Sequence, residues 1–168
     1  MGCCYSLYIN NELKKQTNET PFFDLKDNTY YVKVVEVYDG DTCYIVMRFN
    51  KKFLKFKVRA LGYDSPEMKP LKSEPNRDKI IKMAYKSRDF FISKLTNINN
   101  YQDLSKKEVN NLLKKNTKII KMKCHGFDKY GRLLGEFFED NISINQEMIN
   151  KSYGIPYDGG TKKSFEFN

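Results

Sequence analysis

Three short segments carry side chains that together could break a phosphodiester: Asp39-Gly40-Asp41-Thr42, then Arg59 leading into Asp64-Ser65-Pro66-Glu67, then Asp128-Lys129-Tyr130-Gly131-Arg132. Paired aspartates, with backbone carbonyls and waters, are an ordinary way to hold Ca²⁺ or Mg²⁺, which prefer oxygen ligands. Phosphorus under attack gathers negative charge, and the forked donors of Arg59 and Arg132 match that charge and its geometry. A carboxylate such as Glu67 could orient or deprotonate the attacking water. Each segment alone has a plainer reading. Asp39-Gly40 between two alternating runs is a hairpin turn, and Asp64-Ser65-Pro66 suits a turn or helix entry. Asp41 exceeds what a turn needs, because two adjacent acids call for a cation or a proton. His125 is the only histidine, so a mechanism with two imidazoles in one chain is excluded, and His125 itself reads as a loop or packing residue.

The chain that must position these groups has 168 residues, 40% of them apolar and 14% aromatic, enough for one domain with one core. Its formal net charge of +9 favours a polyanionic partner, either nucleic acid or an anionic membrane surface. No apolar run approaches the roughly 18–20 residues that span a bilayer, and no basic-then-apolar leader opens the chain, so an intracellular protein is expected. Cys3, Cys4, Cys43 and Cys124 lack metal-finger spacing and are expected to be reduced thiols.

Residues 1–28 are polar, without sustained periodicity, and read as a flexible tail. From there, Tyr30–Tyr38, Thr42–Phe49 and Phe53–Leu61 are rich in β-branched and aromatic residues and predict three strands, with turns at Asp39-Gly40 and Asn50-Lys51. In the third, Phe56, Val58 and Ala60 alternate with Lys55, Lys57 and Arg59, so Arg59 should point away from the core. A helix is predicted over Asn76–Leu95 from the stripe Ile80, Ala84, Phe91 and Leu95, capped by Ser73 or Asn76. A second helix follows over Ser105–Lys115, then strands at Lys118–Cys124 and Leu133–Phe138, and a short helix at Ile144–Asn150. This order fits an α+β protein built on a five-stranded barrel of the OB type, able to bring the first turn and the end of the third strand together.

With those residues in view, the stretch from about Tyr31 to Gly160 resembles the staphylococcal nuclease (thermonuclease) family, whose three motif blocks recur here in the same order. The resemblance implies an OB-fold domain over 29–160 and a Ca²⁺-dependent endonuclease that cleaves DNA and RNA to 3′-phosphate products. It implies that Asp41, Asp64 and the Ser65 carbonyl hold the ion, with Asp39 acting through water. Glu67 would position the nucleophilic water, Arg59 and Arg132 would clamp the scissile phosphate, and Lys129 and Tyr130 would touch a nucleotide phosphate. Asn145 matches a structural asparagine, and Tyr153 and Tyr157 fall where nucleotide-contacting aromatics lie. Ser65 replaces a commoner Thr, residues 97–116 form a helical insertion, and only a polar end, 161–168, follows Gly160.

Met1-Gly2-Cys3-Cys4-Tyr5-Ser6 fits a myristoylation signal at Gly2 with palmitoyl acceptors at Cys3 and Cys4, which would place the protein on the cytoplasmic face of a membrane. No obligatory protein partner is expected, and the protein should be a monomer. Two competing readings remain at this point: a catalytically silent OB-fold module that binds nucleic acid, and a basic membrane adaptor.

Overall fold

A computed structural model describes residues 2–98, 104–160 and 165, with backbone alone for residues 2–5. The chain opens with helix α1 (Gly2–Leu13), where the sequence suggests a tail. Its side chains from Ser6 onward are almost all exposed, as with Leu7, Tyr8 and Leu13, so the helix rests on local backbone bonds rather than on a packed stripe.

Three antiparallel strands follow: β1 (Thr29–Val37), β2 (Thr42–Phe49) and β3 (Lys52–Ala60). The β2–β3 turn has Asn50 at φ 46° and Lys51 at φ 64°, the left-handed pair that matches the twist of a tight hairpin. After β4 (Tyr63–Asp64) come α2 (Arg77–Leu95), α3 (Lys106–Asn116), β5 (Ile119–Phe127) and β6 (Leu133–Glu139). The chain continues through β7 (Ile142–Ser143), α4 (Ile144–Asn150) and β8 (Ile155–Pro156). The main sheet runs β3-β2-β1-β5-β6-β7, and a parallel β3–β6 pairing closes the first five of these strands into a barrel. This is the expected OB-type architecture, with β4, β7 and β8 added to it. The three added strands are two residues long, too short to show an alternating pattern.

The barrel is filled by alternate residues of its strands, including Val32, Val34, Ile45, Met47, Val58, Met122, Leu133 and Phe137, all 1% exposed or less. Helix α2 covers one end with Ala84, Phe91 and Leu95, as its stripe predicts, while Ile80 is only half-buried. Asn76 precedes α2 at φ 60° without a side-chain cap, so the capping expected there is absent. In α3 the Ser105 hydroxyl and Glu108 form a reciprocal capping box. The described part of the insertion is pinched at its base by a bridge between Thr96 and Thr117, and Arg88 donates to the Leu104 carbonyl at 2.8 Å. Residues 99–103 of the predicted insertion, and nearly all of the polar end 161–168, lie outside the described residues.

Asn145 works as the expected structural clamp. Its Nδ2 donates to the carbonyls of Leu61 (2.8 Å) and Gly135 (3.1 Å), and its Oδ1 accepts from the Phe137 amide at 3.1 Å. One buried side chain therefore ties α4 to β6 and to the chain leaving β3. Cys43 and Cys124 are buried free thiols, and burial pushes both above the ordinary thiol range, Cys124 to about 11.

Candidate active site

The site forms where strand pairing gathers three segments distant in sequence. The β2–β3 register sets Thr42 opposite Arg59, and the Ala60 amide donates to the Asp41 carbonyl at 2.7 Å, so the first acidic turn lies beside the end of β3. The parallel β3–β6 pairing sets Arg59 opposite Leu134, which carries the 128–132 loop alongside the same strand end. Pairing of β4 with β8, and a 3.0 Å bond from the Tyr157 amide to the Gly62 carbonyl, bring Tyr157 over the Arg59 guanidinium. The result is a cavity of about 730 Å³. Asp39, Asp41, Arg59, Ser65, Glu67, Lys129, Tyr130, Arg132 and Tyr157 all line it.

Arg59 is the centre of the arrangement. Its Nη1 donates to Asp41 Oδ1 at 2.9 Å and its Nη2 to Asp64 Oδ1, with a further 3.3 Å contact to the Tyr63 carbonyl. The side chain points off the apolar core, as the alternation predicts. It is nevertheless mostly buried, being 11% exposed above carboxylates that are 5% and 4% exposed. Burial alone would lower the pKa of the guanidinium, but the charge of Asp41 and the hydrogen bond and charge of Asp64 outweigh burial and raise it. Asp41 and Asp64 are thus brought together, sharing one cation.

Asp41 is held by further bonds. Its Oδ1 accepts from the Thr42 hydroxyl at 2.9 Å, and its Oδ2 from the Ser65 amide at 2.8 Å. Asp39 Oδ1 accepts from the amides of Asp41 (3.0 Å) and Thr42 (2.6 Å), which shapes the turn. Burial, and then the charges of Asp41 and Glu67, push the Asp39 carboxyl up to about 7. Gly40 is required by close approach: a Cβ there would fall 2.0 Å from the Ser87 hydroxyl of α2. Tyr63, fully buried, donates from its hydroxyl to the Gly40 carbonyl at 2.6 Å. Neither role leaves a local signal in the sequence, because both partners are distant along the chain.

The 128–132 loop is organised around Asp128, which accepts from the amides of Tyr130 (2.9 Å) and Arg132 (2.8 Å) and from Arg132 Nε at 2.7 Å. Burial alone would raise the Asp128 carboxyl, but bonds from the backbone and side chain of Arg132 and from the Tyr130 amide hold it below its usual range. The Arg132 guanidinium stands 5.6 Å from the centre of the Tyr130 ring, and the Lys129 ammonium 5.2 Å. Asp128, a turn organiser, is a residue whose role the motif alone did not assign. Tyr38 and Lys57 also line the cavity; Lys57 was legible only as an outward residue of β3.

Tyr153 stacks on Phe90 at 4.4 Å between ring centres instead of facing the cavity. His125 lies in β5, not in a loop, with Nε2 3.8 Å from Glu136 Oε2. The side chains of Gly2, Cys3 and Cys4 lie outside the described residues.

The sequence is similar to those of known proteins. An uncharacterized protein of Methanocaldococcus jannaschii is 31% identical over 167 residues, an alignment covering 89% of this chain and 70% of the relative. The family model for staphylococcal nuclease homologues matches residues 57–164, a stretch holding Arg59, Asp64, Glu67, Arg132 and Tyr157. The acidic turn at 39–42 precedes that stretch and is joined to it by the β2–β3 pairing and by the bonds of Arg59, Tyr63 and Ser65 to the turn. With the closed five-stranded barrel beneath the same residues, the chain belongs to the staphylococcal nuclease homologue family.

Proposed function

We propose that this protein is a calcium-dependent endonuclease that hydrolyses phosphodiester bonds of DNA and RNA, leaving 3′-phosphate ends. The observation that carries the reading is the placement of Arg59 across Asp41 and Asp64 at the floor of the cavity that Glu67 and Arg132 also line. The donor set suits a hard divalent cation. Asp41 and Asp64 are near neighbours that share the Arg59 guanidinium, and Asp39 beside them is pushed up to about 7 by burial and by the negative charge of Asp41 and Glu67, so negative charge still dominates around Asp39. Among the described residues no group of three acidic, histidine or cysteine side chains converges on one point. The protein ligands would therefore be Asp41 and Asp64, with the Ser65 carbonyl, and with Asp39 acting through water. When bound, such an ion offsets charge on a phosphoryl oxygen.

The chain's own groups then divide the work. Glu67 orients a water and accepts its proton as oxygen bonds to phosphorus and the 5′-oxygen departs. Arg59 and Arg132 donate to the non-bridging oxygens as their charge grows, each worth about 100- to 1,000-fold in rate. Lys129 and Tyr130 hold an adjacent phosphate. Cleavage of plasmid DNA and of RNA is measured with calcium and with chelator, on wild type and on Glu67→Gln. The chelator should abolish cleavage and the substitution should slow it by about 100-fold or more. Calcium-independent cutting, or full activity in the variant, rejects the mechanism; tight nucleic-acid binding without cutting would favour the silent OB-fold module instead.

We also propose that acyl groups on Gly2 and on Cys3 or Cys4 tether the nuclease to a cytoplasmic membrane face. One myristoyl chain holds only marginally, and the neighbouring cysteines supply acceptors for a second.

A further inference from the structure

Away from the catalytic cavity, the outer face of the sheet holds a groove of about 670 Å³ that the chemistry above does not use. Strand alternation creates it. Val32, Val34, Met47 and Ile120 turn into the core, so their neighbours Tyr31, Lys33, Val46, Arg48 and Ile119 turn outward. The β2–β3 register sets Phe53 opposite Arg48, and the β1–β5 register sets Lys33 opposite Ile119. Helix α3 closes the far side with Leu113 and Lys114.

The rim of this groove is apolar and unburied: Phe53 is 76% exposed, Tyr31 67% and Ile119 62%. Large apolar side chains gathered in one exposed patch mark a contact surface, whereas scattered single ones do not. Among them stand three cations, Lys33, Arg48 and Lys114. The five elements that build the groove, β1, β2, β3, β5 and α3, carry only two acids, Glu36 and Glu108. Both are engaged elsewhere, Glu36 by Lys106 at 2.9 Å and Lys55 at 3.8 Å, and Glu108 in the cap of α3. Among the described residues no acid lines the groove, and the exposed Lys51 and Lys52 at the hairpin tip extend its basic edge. The surface is therefore complementary to a partner that is both apolar and anionic.

The N-terminal segment joins the domain at the same end. The Phe23 ring lies 5.6 Å from that of Phe49, and Phe49 pairs with Lys52, the residue before Phe53. Phe22 beside it is fully exposed. The chain before Phe22, α1 included, is thus linked to the barrel at the hairpin end that carries Arg48 and Phe53.

We propose that this face docks on an anionic lipid bilayer. Phe53, Tyr31 and Ile119 enter the boundary between headgroups and acyl chains, Lys33, Arg48 and Lys114 meet lipid phosphates and carboxylates, and the groove takes the upper part of a lipid chain. One acyl chain holds a protein to a membrane only marginally, and a basic patch is a second signal of the kind that makes attachment last. Arg59 stands six residues along β3 from Phe53, about 20 Å away, so docking leaves the catalytic cavity off the membrane-facing patch. The docking face rests on neither the nuclease reading nor the acyl tether, because it is measured on a chain without acyl groups and without cleavage.

The test is co-sedimentation of the full chain, made in bacteria and therefore unacylated, with vesicles of phosphatidylcholine alone and of phosphatidylcholine mixed with phosphatidylserine. Wild type should bind the mixed vesicles and not the neutral ones, and more weakly as salt rises. At about fivefold per cation near an anionic surface, the Arg48→Gln, Lys114→Gln double variant should partition about 25-fold less. Phe53→Ala should cost about tenfold, since its ring passes from water into the interface. Lys79→Gln, Lys82→Gln removes the same charge from α2, outside the groove, and should leave binding nearly unchanged. All five replaced side chains are exposed, so the variants should fold as the wild type does.

Equal losses in the two double variants reduce the binding to net charge and overturn the docking face. So does equal binding to neutral vesicles, an unaltered Phe53→Ala, or no binding to the mixed vesicles at all. A dimer in solution that Phe53→Ala breaks while vesicle binding persists assigns the groove to a second copy and overturns it too. An acyl tether that fails in cells leaves this face standing, and a face that fails here leaves the tether standing.

Discussion

Arg59→Gln tests whether one guanidinium is what allows two acids to be buried side by side. The wild-type side chain is 11% exposed and bridges carboxylates 5% and 4% exposed, so its removal leaves both without their shared cation. Removing one partner of a buried pair costs about 3–5 kcal/mol. Asp41 borders an open cavity and can recruit water, which points to the lower end, about 3 kcal/mol. For a chain of this length each kcal/mol moves Tm by about 2–4 °C, so the variant should melt about 6–12 °C lower at neutral pH in chelator. The assay is thermal unfolding followed by circular dichroism, on Arg59→Gln, Asp41→Asn and the pair combined. Because the groups touch, the double variant should lose at least about 1 kcal/mol less than the sum of the single losses. Calcium should raise the Tm of Arg59→Gln, as any ligand of the folded state must. A drop below about 2 °C, or strictly additive losses, would refute the idea that Arg59 neutralises this pair.

Asp39 provides a pH test: its folded-state value is about 7 against 3.8 for an ordinary carboxyl, so the folded chain holds a proton that the unfolded chain releases. That stability is present below about pH 4 and is lost as pH rises through about 7; Asp39→Asn in chelator should flatten this decline, and an identical slope in the variant would rule it out. For the acyl anchor, Gly2→Ala expressed in a eukaryotic cell should shift the protein from the membrane pellet to the supernatant on fractionation; an unaltered distribution discards the tether.

Much of the barrel could be read in advance, because β-branched alternation and paired turn residues are local signals. Tyr30–Tyr38, Thr42–Phe49 and Phe53–Leu61 match β1, β2 and β3 to within a residue at most ends, and the α2 stripe of Ala84, Phe91 and Leu95 is buried as its spacing requires. The short helix α4 was legible at its observed bounds, but the N-terminal helix and the two-residue strands were not. Helix α1 lacks a packed apolar face, and β4, β7 and β8 exist only through partners elsewhere in the chain, Tyr63 with Pro156 among them. Tyr153 illustrates the same limit from the other side. A loosely placed aromatic suggests a ligand contact, but packing turned it onto Phe90.

At the site, residue types by themselves marked which groups could do chemistry: the oxyanions at Asp39, Asp41, Asp64 and Glu67, and the forked donors at Arg59 and Arg132. Their arrangement belongs to the closed barrel. A strand's alternation states that Arg59 leaves the core, but only the parallel β3–β6 closure and the β2–β3 register place it over Asp41 and Asp64 with Arg132 beside the same cavity. Side-chain type and local periodicity are properties of neighbouring residues, whereas the counter-ion shared by Asp41 and Asp64 and the raised Asp39 carboxyl, with Glu67 among its causes, arise between residues distant along the chain, and therefore exist only once the chain has folded.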